Sequence, residues 1–138
     1  MADTEFTKAQ VSGVLPCSDF DRCVAFYRDT LGFKVELAPD LPGNALVYGG
    51  KGSVFSLYER SEPTKAEHTT LGIMVDDFGR AIDELRSKGV KLEEYDQPGL
   101  KTENGVATYG DMKSAWIKDS EGNIIAILPA AQIMRRAA

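Results

Sequence analysis

Few side chains in this 138-residue chain are reactive, and their scarcity narrows the chemistry available. His68 is the single histidine, and no metal-ligand or triad spacing surrounds it. Three roles are open to it: a ligand at a site rim, a general acid or base, or an exposed residue at a strand end. Glu59 and Glu67 read first as solvated charges, and Glu103 stands in a Gly-rich stretch where a lid could form. Cys17 and Cys23 are too few for a disulfide framework and read as small buried side chains. Gly49-Gly50-Lys51-Gly52 is too short and wrongly placed for a phosphate loop. What the chain offers instead is aromatic and thioether surface: Tyr48, Tyr58, Met74 and Trp116, with Tyr109 and Met112 nearby. Such groups suit a flat, apolar ligand, since ring stacking contributes roughly 0.5–1.5 kcal/mol beyond burial. For Trp116 a second role is equally open, that of shielding a sheet.

The elements that must position these residues come in two copies. Asp19-Phe20-Asp21-Arg22 is answered by Asp77-Phe78-Gly79-Arg80, 58 residues later, and Gly32-Phe33-Lys34-Val35 by Gly89-Val90-Lys91-Leu92. A period near 60 is too long for a solenoid and fits a duplicated half-domain. In the first copy, about residues 10–60, Phe20, Val24, Tyr27 and Leu31 form one helical stripe behind a Ser18-Asp19 cap, and Gly32 ends it. Strands are expected at 11–17, 33–37, 45–48 and 53–59. In the second copy, about 67–129, Asp76 or Asp77 caps a helix carrying Phe78, Ala81, Ile82 and Leu85, which Gly89 ends. Strands are expected at 69–75, 90–95, 114–118 and 123–128, with a long loop over 96–111 and a short helix or frayed tail after 130.

Each copy is therefore a βαβββ module within one α+β domain. Its helix covers one sheet face, leaving the other small, polar and aromatic. Leu71, Ile73 and Val75 go to the helix and Thr70, Gly72 and Met74 away from it. Ala115 and Ile117 go inward, which turns Trp116 outward; Ile125 and Ile127 go inward, which turns Ile124, Ala126 and Leu128 outward. A curved mixed sheet with such a face forms a cup. Composition agrees with a globular protein, with a hydrophobic fraction of 43% and a net charge of −5. An acidic balance disfavours nucleic acid as partner. The opening MADTEFTKAQ has no apolar segment and no stretch has the length of a membrane span, so a cytoplasmic protein with no membrane partner is expected.

The segments DFDRCVAFYRDTLGFKV (19–35), GIMVDDFGRAIDELRSKGVKL (72–92) and AWIKDSEGNIIAI (115–127) resemble the vicinal oxygen chelate superfamily of glyoxalases, bleomycin-resistance proteins and extradiol dioxygenases. The third is similar to that family's AWF-x-DPDGN-x-x-E-L turn, with Ser120 at the usual proline. The resemblance implies a metal held on the cup face by His and Glu from four strands. Carried over residue by residue, those positions fall on Ser12, Ser56, Thr70 and Ala126. Neutral hydroxyls and a methyl group do not replace the imidazole and carboxylate ligands such metals need. No metal and no cofactor are expected. The resemblance then implies a small-molecule binding protein of the bleomycin-resistance type, a homodimer whose groove is built by modules of two chains. Its ligand-binding candidates are Ser12, Val14, Tyr48, Ser56, Tyr58, His68, Thr70, Met74, Tyr109, Met112, Trp116 and Ala126. The alternatives are a metal-free lyase or isomerase using His68, Tyr58 or Glu103, and a divergent enzyme recruiting metal through His68, Glu59 or Glu67.

Overall fold

The computed structural model describes residues 3–137, with the side chains of 135–137 excepted. Two open sheets and three helices make a mixed α+β architecture. The first sheet has the order β1 (Val14–Cys17), β4 (Val54–Glu59), β3 (Asn44–Tyr48), β2 (Lys34–Leu37). Helix α1 (Phe20–Ala25) follows β1 and widens into a π-helical turn over Phe26–Thr30. The second sheet has the order β5 (Thr69–Val75), β10 (Ile124–Pro129), β9 (Met112–Lys118), β8 (Val106–Tyr109), β7 (Leu100–Glu103), β6 (Asp96–Gln97). Helix α2 (Phe78–Ser87) follows β5, and α3 (Ala130–Ala137) follows β10. In each half the strand before the helix pairs in parallel with the last strand, β1 with β4 and β5 with β10. Among the described residues no helix is long and apolar enough to cross a membrane.

The caps sit where residue chemistry places them. The Asp19 carboxylate accepts the Arg22 N–H at 3.2 Å, and Asp77 that of Arg80 at 3.1 Å. After Thr30 the chain must turn back toward β2, and Gly32 takes φ +85° there.

The stretch from 90 to 111 differs from the sequence expectation. Residues 90–95 form no ladder, and 96–111 is a meander of short strands rather than a loop. Three turn dipeptides make the meander: Pro98-Gly99, Asn104-Gly105 and Gly110-Asp111, each joining paired strands. Asn104 and Gly105 both take positive φ, 52° and 78°. A Cβ on Gly105 would lie 2.4 Å from that of Leu92, so only glycine fits. Strand β8 then occupies the β9 edge as far as Ala115. That leaves the Trp116 carbonyl to accept the Glu93 N–H at 2.8 Å, and the 90–95 segment meets a strand edge again only at Tyr95, whose carbonyl accepts the Thr102 N–H at 2.9 Å.

Helix-facing residues of both sheets join one core. Leu15, Val47, Phe55 and Leu57 of the first sheet share a buried cluster with Ile117, Ile125 and Ile127 of the second, and with Val24 and Ile82 of the helices. Tyr27, fully buried, packs edge-to-face on Phe26 and Phe55 with centroids 5.3 and 5.4 Å apart. A small cavity of about 130 Å³ is lined by Thr30 and Leu31 on one side and by Glu84, Leu85 and Lys88 of α2 on the other. The two helical segments therefore lie side by side between the sheets, and the opposite sheet faces look outward.

A buried acidic turn holds the halves together. Asp119, between β9 and β10, accepts the Tyr27 hydroxyl at 2.6 Å, the backbone N–H groups of Glu121 and Asn123 at 2.8 and 2.9 Å, and the Asn123 amide at 2.8 Å. Burial, and then the Asp119 charge, push the Tyr27 phenol far above its ordinary value, so it stays a donor. Glu121 accepts the Ser18 N–H and hydroxyl at 2.5 and 2.7 Å and the Asp19 N–H at 3.0 Å. It thereby caps α1 from the other half of the chain. Asn123 reaches the Pro16 carbonyl at 3.2 Å and Arg22 the Ser120 carbonyl at 2.7 Å.

Two predictions test this clasp. Tyr27→Phe removes one donor from a buried carboxylate and should cost about 2 kcal/mol in urea unfolding; a loss within error would remove the hydroxyl from the account. Burial raises the Glu121 pKa, but the donors from Ser18 and Asp19, with Arg22, outweigh it and hold the carboxyl below its ordinary 4.5. Its contribution is thus present above that value and lost as pH falls through the lower folded-state value. Glu121→Gln should destabilise by about 2 kcal/mol at pH 7, with the gap to the parent closing in acid; a gap independent of pH would show that charge is not involved.

Candidate functional site

Strand alternation places the candidate residues on the outward sheet faces. On the first sheet, Leu15, Ala45, Val47, Phe55 and Leu57 point inward. Val14, Tyr48, Ser56 and Tyr58 therefore share the outer face, with Leu46 opposite Ser56. Val14 is 57% and Leu46 38% exposed, so this face is apolar and uncovered. A cation stands over each tyrosine: Lys34 Nζ lies 5.4 Å from the Tyr48 ring centroid and the Arg60 guanidinium 5.9 Å from that of Tyr58.

The outer face of the second sheet carries Met74, Tyr109, Met112, Trp116 and Ala126. Small residues form its floor. Ala107 pairs with Ser114 and Ala126 with Trp116, and the three small side chains are buried among larger neighbours. Trp116 is half-buried, and its ring meets Tyr95 edge-to-face at 5.5 Å. Burial, and then the Glu93 charge, raise the Tyr95 phenol, so it remains neutral at pH 7. Tyr95 escaped the sequence reading because it was expected on a strand, and no spacing rule places a residue of the irregular 90–95 segment against Trp116. Lys34 and Arg60 escaped because only the β2–β3 register and the end of β4 set them over tyrosines.

Two of the metal-ligand positions implied by the resemblance have another task. The Ser12 hydroxyl donates to the Val54 carbonyl at 2.7 Å, and the Thr70 hydroxyl to the Ile124 carbonyl at 3.1 Å. Each thus stitches the entry of a parallel strand pair. Ser56 is half-buried and Ala126 is 6% exposed with no donor atom. These four do not fit a divalent metal. Among the described residues no three His, Cys, Asp or Glu side chains gather as a metal centre elsewhere.

The twelve candidates do not meet in one cup within a chain. Five (Ser12, Val14, Tyr48, Ser56, Tyr58) lie on or beside the first outer face and six (Thr70, Met74, Tyr109, Met112, Trp116, Ala126) on the second. They touch only at the seam, where a cavity of about 480 Å³ brings Ser12 and Val54 against Gly72, Met74 and Met134. A Cβ on Gly13 would lie 3.2 Å from the Leu71 Cδ1 there, a close contact to which the leucine side chain would have to yield. His68 precedes β5 and is exposed, outside the strand that would have aligned it with Thr70. Tyr109 and Met112 are paired strand residues beside a tight turn, and the Tyr109 hydroxyl is bonded to the Gly99 carbonyl, so they do not form a lid loop. Glu103 is on the inner side, lining a cavity of about 690 Å³ between α2 and β7–β9 with Phe78, Ile82 and Lys101, and does not serve the outer faces. Cys17 and Cys23 are buried and free.

Protein purified without chelator should therefore carry no stoichiometric Zn, Ni, Mn or Fe by elemental analysis. One metal per chain would overturn the donor argument.

Comparison with known proteins places this geometry. A family model for the glyoxalase/bleomycin resistance protein/dioxygenase superfamily matches residues 9–127. Among curated proteins no sequence relative matches. Solved structures do. Lactoylglutathione lyase from Agrobacterium tumefaciens superposes with TM-score 0.66 at 18% identity, over 90% of this chain and 95% of that one. A bleomycin resistance determinant encoded on transposon Tn5 gives 0.66 at 19%, over 88% and 97%. A bleomycin-binding protein in complex with bleomycin gives 0.65 at 19%, over 88% and 98%. Identities this low establish the shared fold, and the family match covers most of the sequence. The chain belongs to the glyoxalase/bleomycin resistance protein/dioxygenase superfamily.

Proposed function

We propose that this chain is a metal-independent binding protein of the bleomycin-resistance type, which sequesters an aromatic or apolar small molecule such as an antibiotic without turnover. The observation that carries this is the character of the outward faces. One presents Tyr48, Tyr58, Leu46 and Val14, the other Trp116 with Tyr95 and Met74, and the superfamily's ligand positions hold no metal-binding groups. The bleomycin-binding protein of similar fold supports the ligand class.

Two copies of the chain complete the site. Within one chain the faces look outward, so a groove with two walls needs the first sheet of one protomer opposite the second sheet of its partner. Each chain then contributes a module of about 10–60 and one of about 67–129 to different grooves of a homodimer. Two free cysteines suit a reducing cytoplasm. Burying ~200 Å² of apolar ligand surface gives a gross ~5 kcal/mol at about 25 cal/mol/Å². Association entropy opposes that, which is why two walls are needed for useful affinity.

A titration of the intrinsic Trp116 fluorescence with aromatic antibiotics, bleomycin included and chelator present, should saturate at one ligand per chain. By calorimetry Trp116→Ala should bind more than tenfold more weakly with its circular dichroism unchanged. Sedimentation should return a dimer. A monomer that binds nothing in the panel would overturn the proposal.

A further inference from the structure

The first outer face carries a charge pattern that narrows the ligand. Lys34 and Arg60 stand over Tyr48 and Tyr58, and among the described residues neither forms a salt bridge. Glu36, on the same strand side as Lys34, is the one carboxylate in register on this face, opposite Leu46. Cations outside salt bridges are common here, since among the described residues Lys88, Lys91, Lys101 and Lys113 form none either; what is particular to Lys34 and Arg60 is their placement over aromatic rings. Tyr48 and Tyr58 sit at opposite ends of the β3–β4 pair, since Tyr58 faces Asn44. Four residues at about 3.3 Å each separate them by roughly 13 Å along the strands. Each end thus offers an aromatic ring with a cation over it, and the row between them is Val14, Ser56, Leu46 and, at the β2 edge, Glu36.

We propose that the ligand of this face is an elongated aromatic acid, carrying a negative group at each end. This rests on the binding reading above. Stacking takes the flat body of the ligand, while Lys34 and Arg60 pair with its end groups. Both cations are exposed, so their pairing with a carboxylate is screened by salt, and its main effect is to orient the ligand through charge-assisted hydrogen bonds at the two ends. A cationic ligand of the same shape meets two like charges and is rejected.

The test uses the full-length protein and three rods of one shape by calorimetry: biphenyl-4,4′-dicarboxylate, its neutral diamide and the corresponding bis-ammonium compound. The dicarboxylate should bind at least tenfold more tightly than either other rod. Lys34→Met and Arg60→Met should each weaken the dicarboxylate about fivefold or more and narrow its advantage over the diamide, with thermal unfolding of both variants confirming that they fold. Equal affinity for dicarboxylate and diamide, or preference for the bis-ammonium rod, would overturn the charge assignment while leaving a binding site standing. No heat from any of the three, beside a saturating antibiotic titration, would overturn the charge assignment alone; failure of both titrations would overturn the binding reading as well.

Discussion

The structure depends on a pair of buried carboxylates in the β9–β10 turn. Burying a charge is costly unless donors replace the water it loses. Glu121 finds those donors in the other half of the chain, in the Ser18 and Asp19 amides at the start of α1, and Asp119 takes three from its own turn and one, the Tyr27 hydroxyl, from the other half. The first half cannot leave without stripping Glu121 of its amide and hydroxyl donors and Asp119 of the Tyr27 hydroxyl. That fixes which faces of the two modules meet. Because the turn grips α1 at its N-terminus and, through Tyr27, the π-helical turn that follows it, α1 is held between the sheets, and the helical faces merge into one core.

A functional consequence follows directly. When helical faces meet, the opposite faces are turned outward, and they carry the aromatic residues. The fold thus separates stability from binding. The interior is aliphatic with a Tyr27–Phe55 cluster, and each outer face joins small or hydroxyl residues to rings. Ser12 and Thr70 show the same division at single positions. Their hydroxyls close the entries of the two parallel strand pairs at equivalent places, so both are committed to the backbone.

Much of this was legible in the sequence. The capping aspartates and the glycines after the helices have local causes, and Asp19, Asp77 and Gly32 take the conformations their residue types favour. Period-two alternation told inward from outward residues correctly along β4, β5 and β9, because a buried helix covers one side of each strand. The 90–111 region was misread for a reason also visible in the residues. Pro98-Gly99, Asn104-Gly105 and Gly110-Asp111 are hairpin turns, but the strands between them are only two to four residues long. Strands so short show no periodicity, and a run of glycines then looks like a loop.

By itself the sequence determined the duplication, the secondary elements outside 90–111 and the α+β class, since these follow from residue type and local spacing, and the resemblance it carries pointed to four ligand positions without ligating groups. Tertiary structure alone decided how the halves face each other, that Tyr95 backs Trp116, and that Lys34 and Arg60 stand over tyrosines. Those contacts join residues far apart in the chain, and no local period encodes them. They are set by which buried groups must find hydrogen-bond partners and by the strand register that results.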